Sequence, residues 1–140
     1  MIHPELEKLI SRIVKDEIGG AVDTAHEVMN AMIQVADDSK AKSVDELYNA
    51  LDDAAYAILK VCPSFAPPIN VLHMVMGTIE GDLSKGLEVN EVKDNLRKTK
   101  KEFEQFIDEA LNKIALIGSE LIKDNDRIFM YSMSTSVWKV

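Results

Sequence analysis

The sequence predicts a mainly α fold: a bundle of about five helices whose last and longest member leads into a single strand that opens an incomplete α/β unit. Two patterns carry this expectation. Apolar residues recur at helical spacing in successive stretches, ending in one run of alternating three- and four-residue steps from Val92 to Leu121. After it, Asp124-Asn125-Asp126 supplies turn chemistry, and the mostly apolar run Arg127 to Met133 has no helical stripe. The hydroxyl-rich Ser132 to Ser136 then precedes Val137 and Trp138, the layout of a strand, a loop and a new helix start.

Each helix has its own signals. Leu6, Leu9, Ile10, Ile13 and Val14 form an amphipathic stripe, and Pro4 sits where a first turn tolerates proline. Ile18-Gly19-Gly20 is expected to break this helix. A second stripe runs through Val22, Ala25, Met29, Met32, Ile33 and Ala36, and the polar Ser39 to Lys42 follows. Ser43-Val44-Asp45-Glu46 has the spacing of a capping box for a third helix bearing Leu47, Leu51, Ala54, Ala55 and Ile58.

Pro63 to Pro68 cannot be helical throughout, because adjacent prolines remove donors and push their predecessors toward extended geometry. A fourth, short helix is expected from near Ile69, burying Leu72, Val75, Met76 and Ile79, with Gly77, Gly81 and Gly86 loosening its end. The fifth, from Asn90 to Lys123, would be a rod of roughly 45 to 50 Å. Such a rod must pack along several shorter helices or against another subunit. No fixed repeat or low-complexity tract suggests a solenoid.

Composition narrows the function. The 140 residues suit one domain with a real core. A net charge of −8 opposes nucleic-acid backbones and anionic lipid, leaving room only for a local site for a small phosphorylated molecule. The charged start and the lack of a span-length apolar run argue against a signal peptide or membrane segment, and the single Cys62 against an internal disulfide, so a cytoplasmic protein is expected. His3, His26 and His73 lack metal-ligand spacing and read as packing or surface residues, and no cofactor motif is present. Asp37-Asp38, Asp52-Asp53 and the Lys98 to Glu104 charges read as solvated helix faces. Ile128, Phe129, Met130, Val137 and Trp138 would need covering, so self-association through residues 127 to 138 is expected.

Three segments carry a resemblance. Ile18-Gly19-Gly20-Ala21, the stretch Cys62 to Leu72 beginning Cys62-Pro63-Ser64-Phe65, and Lys123 to Ser134 stand in an order and spacing that resemble the amino-terminal part of the initiation factor 2B family. That family includes the alpha, beta and delta regulatory subunits of eukaryotic translation initiation factor 2B, archaeal relatives, ribose-1,5-bisphosphate isomerase and methylthioribose-1-phosphate isomerase. The resemblance spans nearly the whole chain. It implies a helical domain over residues 1–123, with 124–140 forming the first strand and loop of a truncated Rossmann-like domain.

The resemblance also bears on chemistry. In the family's isomerases an Arg-Gly-Ala segment, an Arg-Pro-Thr segment and the loop after the first strand help bind the phosphosugar, and a cysteine in that loop is the catalytic base. Here the matching positions are Gly19, Cys62 and Ser132, and the matching aspartate would lie beyond Val140. Two planar guanidinium forks and an ionisable thiol are thus replaced. Tyr131-Ser132-Met133-Ser134 instead resembles the His-Ser-Tyr-Ser loop of the regulatory subunits. The resemblance therefore implies a non-catalytic regulatory protein that engages initiation factor 2 or family subunits. It further implies a cleft for a sugar phosphate or nucleotide beside Gly19, Gly20, Ala21, Cys62, Ser132, Ser134, Thr135 and Ser136, with the backbone of Gly19 and Gly20 facing Ser132. The alternatives are a fragment of an isomerase of the same family and an unrelated helical scaffold that only oligomerises.

Overall fold

The computed structural model describes residues 3–131 and 134–140. Six helices follow in order: α1 Pro4–Val14, α2 Ala21–Asp38, α3 Val44–Val61, α4 Ala66–Lys85, α5 Val89–Leu121 and the short α6 Thr135–Trp138. The bundle is organised around α2, which packs on α1, α3, α4 and α5. Its Val28, Met29 and Met32 are fully buried, as are Leu47, Leu51 and Ile58 of α3, Val71, Val75 and Ile79 of α4, and Val92 and Leu96 of α5. Apart from Val28 and Val71, these belong to the stripes expected from periodicity, and all meet in one core. Polar contacts seat α1 on α2: Arg12 pairs with Glu27 at 2.8 Å, and the His3 ring, whose Nδ1 accepts from Glu5 N, meets Asp38 at 3.1 Å. His26 packs edge-on against Phe103, with ring centroids 5.2 Å apart.

Several expectations are corrected. The first helix stops at Val14, ahead of the glycines. Asp16 takes φ 55°, and Asp16 N and Glu17 N donate to Ile13 O and Arg12 O. This is a Schellman-type end with aspartate in the left-handed position usually given to glycine. Ser43 caps α3 by accepting from Glu46 N at 3.2 Å, but Glu46 accepts from Lys42 N, not from the cap itself. The reciprocal box stands at α5, between Glu88 and Glu91.

The fourth helix starts at Ala66, not Ile69, because Pro67 and Pro68 fall in its first turn, where no intrahelical acceptor awaits their missing N–H groups. It also runs through Gly77 and Gly81 to Lys85 and closes on Gly86 at φ 70°. Two interior glycines cost about 1 kcal/mol each relative to alanine, and the buried face of Leu72, Val75, Ile79 and Asp82 offsets that. Asp82 accepts from Asn95 at 2.8 Å and from Lys85 at 3.2 Å, which ties α4 to α5.

At 33 residues, α5 is about 50 Å long. Its first half lies on the bundle, and Lys93 donates to Asp37 O and Ser39 O, satisfying carbonyls at the end of α2. Beyond Phe103 the same apolar stripe continues through Phe106, Ile117 and Leu121, now 62–76% exposed.

The turn forms as expected, with Asn125 at φ 71° and Lys123 N donating to Asp126 at 2.7 Å. The strand does not. No strand occurs among the described residues, so the single strand expected over 127–133 is corrected over 127–131, and its positions 132 and 133 lie outside the described residues. A lone strand has no neighbour for its backbone groups, and Ile128, Phe129 and Tyr131 are 67–89% exposed. The chain instead ends in α6, capped by Ser134, and Val140 packs so closely on α5 that a Cβ at Gly118 would lie 2.6 Å from it.

Candidate functional site

Two links between helices face each other. Residues 15–20 join α1 to α2, residues 62–65 join α3 to α4, and α2 packs against α4. The links enclose an open cavity of about 770 Å³, lined by Ile13, Asp16, Glu17, Gly19, Gly20, Thr24, Cys62, Ser64 and Phe65 among others. A drug-sized ligand fits such a volume. The N-termini of α2 and α4 both begin at this cavity, and neither has a side-chain cap: Gly20 has none to offer and Phe65 makes no cap bond. At α2 the first N–H groups remain available as donors, whereas at α4 Pro67 and Pro68 have none and only that of Ala66 is left. Thr24 donates back to Gly20 O at 2.7 Å and holds the start of α2 closed.

The structure brings some of the expected site residues together. Gly19, Gly20 and Cys62 share this cavity, and Ala21 opens α2 beside it. Thr135 reaches the same helix start by donating to Asp23 at 3.4 Å, and that carboxylate would lie 3.1 Å from a Cβ added at Gly19. Ser134 is used as the cap of α6, and Ser136 lies within that helix. Ser132 lies outside the described residues, and so does its expected approach to Gly19 and Gly20. Asp16, Glu17, Thr24 and Phe65, which were not among the expected site residues, also line the cavity. The available signal was Asp16, since aspartate tolerates the left-handed turn that places it at the cavity.

Electrostatically the cavity is acidic. Among its lining residues are Asp16 and Glu17, and none is lysine, arginine or histidine. Cys62 is buried at 6% exposure, and its Sγ donates to Ile58 O at 3.2 Å. Burial pushes this thiol's pKa up, so it stays protonated near neutrality. Any stability linked to that shift is present below the unfolded thiol's pKa and is lost as pH rises through the folded one. Alkylation by iodoacetamide at pH 8 is expected to be at least about tenfold slower in the native chain than in urea. Equal rates by mass spectrometry would show that the thiol is not shielded.

The described residues thus form a helical bundle with a ligand-sized cavity where α2 and α4 begin. Residues 17–140 match the initiation factor 2 subunit family, and the chain belongs to it. Two curated relatives are named ribose 1,5-bisphosphate isomerase. One, from Thermococcus kodakarensis, is 27% identical over 136 residues, covering 97% of this chain and 42% of its own length. The other, from Pyrococcus furiosus, is 27% identical over 140 residues, covering 100% of this chain and 43% of its own length. The chain thus spans less than half the length of these relatives. No helix among the described residues is long and apolar enough to cross a membrane.

Proposed function

We propose that this chain is the helical domain of an initiation-factor-2B-like regulatory protein of the cytoplasm, non-catalytic by itself. It works by binding initiation factor 2 or family subunits and by sensing a small molecule in the cavity between the two links. Residues from Asp124 onward would lead into an α/β part. One observation carries the non-catalytic reading: the cavity that contains Gly19 and Cys62 has no cationic side chain among its lining residues, and its thiol is buried and protonated. A general base must titrate within reach of the proton it moves, and no lining group offers that together with a phosphate-binding fork.

The test has two arms. Incubating the purified chain with ribose 1,5-bisphosphate or methylthioribose 1-phosphate and following ketose formation by NMR is expected to give no turnover above background. In the second arm, immobilised chain is expected to retain initiation factor 2 from the same organism. Turnover that survives repurification would overturn the non-catalytic reading, and loss of retention would overturn the regulatory one. A second reading is favoured by the names of the two relatives: the chain would be the helical portion of a sugar-phosphate isomerase whose reacting groups reside in residues it does not contain.

A further inference from the structure

We infer that residues 134–140 form a strap that opens and closes about the turn at residues 124–126, and that its closed position fixes the start of α2. One face of α5 carries the imprint of the strap. Between residues 111 and 121 only Leu111, Ala115 and Gly118 are shielded, and all the others are exposed. Steps of four and three put these residues on one face of the helix, and Leu111 is buried there without belonging to the core of the bundle. Along α5, α6 makes its contacts, and Val140 seats on Gly118: a Cβ at that glycine would lie 2.6 and 2.8 Å from the two valine methyls. The bare backbone of Gly118 is thus a notch that Val140 fills. With both methyls in contact, turning the valine to any other staggered rotamer leaves one of them there, so a side chain at residue 118 and a docked Val140 exclude each other.

The second anchor reaches α2. Thr135 Oγ1 donates to Asp23 Oδ2 at 3.4 Å, and the same oxygen would lie 3.1 Å from a Cβ at Gly19 and 3.9 Å from one at Gly20. Asp23 is the acidic residue in the first turn of α2, where the N-cap Gly20 has no side chain to offer. A carboxylate in that turn is drawn to the unpaired N–H groups, and the strap holds it over the two glycines. Between the anchors the chain has little hold. Asn125 at φ 71° reverses it, and Ile128, Phe129 and Tyr131 are exposed. A segment tied by one apolar seat and one long hydrogen bond opens locally at far less cost than the bundle unfolds, and a short turn absorbs the change in direction.

The experiment is amide hydrogen exchange of the intact chain, resolved by residue with NMR. Trp138 N and Val140 N donate to Ser134 O and Val137 O within the strap, and Thr24 N donates to Gly20 O at the start of α2, so these three amides read the two ends. Gly118→Ala puts a methyl in the notch while favouring the helix around it. It is expected to speed exchange at Trp138 and Val140 at least about fivefold and at Thr24 at least about twofold, with the amide of Leu51 in the core unchanged. Thr135→Val keeps the shape of the side chain without its donor and should speed Thr24 to a similar degree. Gly81→Ala is the control, since nothing lies within 4 Å of a Cβ there, and it should leave all these amides as they were. Unchanged exchange at Trp138 and Val140 in Gly118→Ala overturns the strap, and unchanged exchange at Thr24 in both strap variants overturns its hold on α2. A rise at Leu51 as large as that at Trp138 overturns the inference too, because the variant would then loosen the whole bundle.

Discussion

Replacing Leu51 with alanine is expected to destabilise the chain by about 3 kcal/mol and to lower the melting temperature by roughly 10 °C. Leu51 is 0% exposed on α3, the helix that meets α1, α2, α4 and α5. Its removal forfeits transfer energy and leaves a cavity that the close-packed core fills only in part. A domain of this length has a total stability of about 7 to 20 kcal/mol, so the loss is a large fraction of it. Leu116→Ala is the control, since Leu116 is 65% exposed and its truncation should change stability by less than about 0.5 kcal/mol. Thermal unfolding by circular dichroism reads both. Equal effects would mean that α3 is not central to the core.

Self-association of the chain is the second large effect expected. The stripe of Phe106, Ile117 and Leu121 and the tail residues Ile128, Phe129, Tyr131 and Trp138 are 62–89% exposed. Four of these are aromatic, each worth about 150 to 250 Å² when buried, so the apolar area on offer exceeds the roughly 300 to 600 Å² patch of an ordinary monomer. A second copy supplies the same surface. Sedimentation at tens of micromolar is expected to show a dimer or larger species. Ile117→Glu with Leu121→Glu should shift it toward monomer without loss of helix, because both side chains lie outside the core. A version ending at Asp124 should associate more weakly. If the intact chain sediments as a monomer, the exposed stripe does not serve this purpose.

Where the sequence was legible, the controlling interaction was local. Ser43 caps α3 because its hydroxyl sits three residues from Glu46 N, and Asn125 turns the chain because asparagine tolerates positive φ. The buried stripes of α2, α3 and α4 follow from spacing alone. Misreadings arose where two local rules compete. Gly19 and Gly20 looked like the end of the first helix, yet Asp16 ends it, since a left-handed aspartate serves when two backbone bonds close behind it. Pro67 and Pro68 looked like an exclusion from helix, yet in a first turn they are tolerated. Gly77 and Gly81 stay helical because burial elsewhere on α4 outweighs their propensity.

The site was legible only in part. Gly19, Gly20 and Cys62 could be singled out from the sequence through resemblance, and they line one cavity. Glu17 and Phe65 could not, because their place in one cavity depends on how two links far apart in the chain are brought face to face by the packing of α2 on α4.

The sequence by itself determined the helical identity of the chain and the turn after α5, since periodicity, capping and turn chemistry act within a few residues. The tertiary structure alone decided three things. It set the two links around one cavity, it brought Thr135 to Asp23 across 112 residues, and it left residues 127–131 unpaired. The physical reason is the same for each: a cavity wall, a long-range hydrogen bond and a strand all need a partner distant in sequence, and local pattern carries no record of whether that partner arrives.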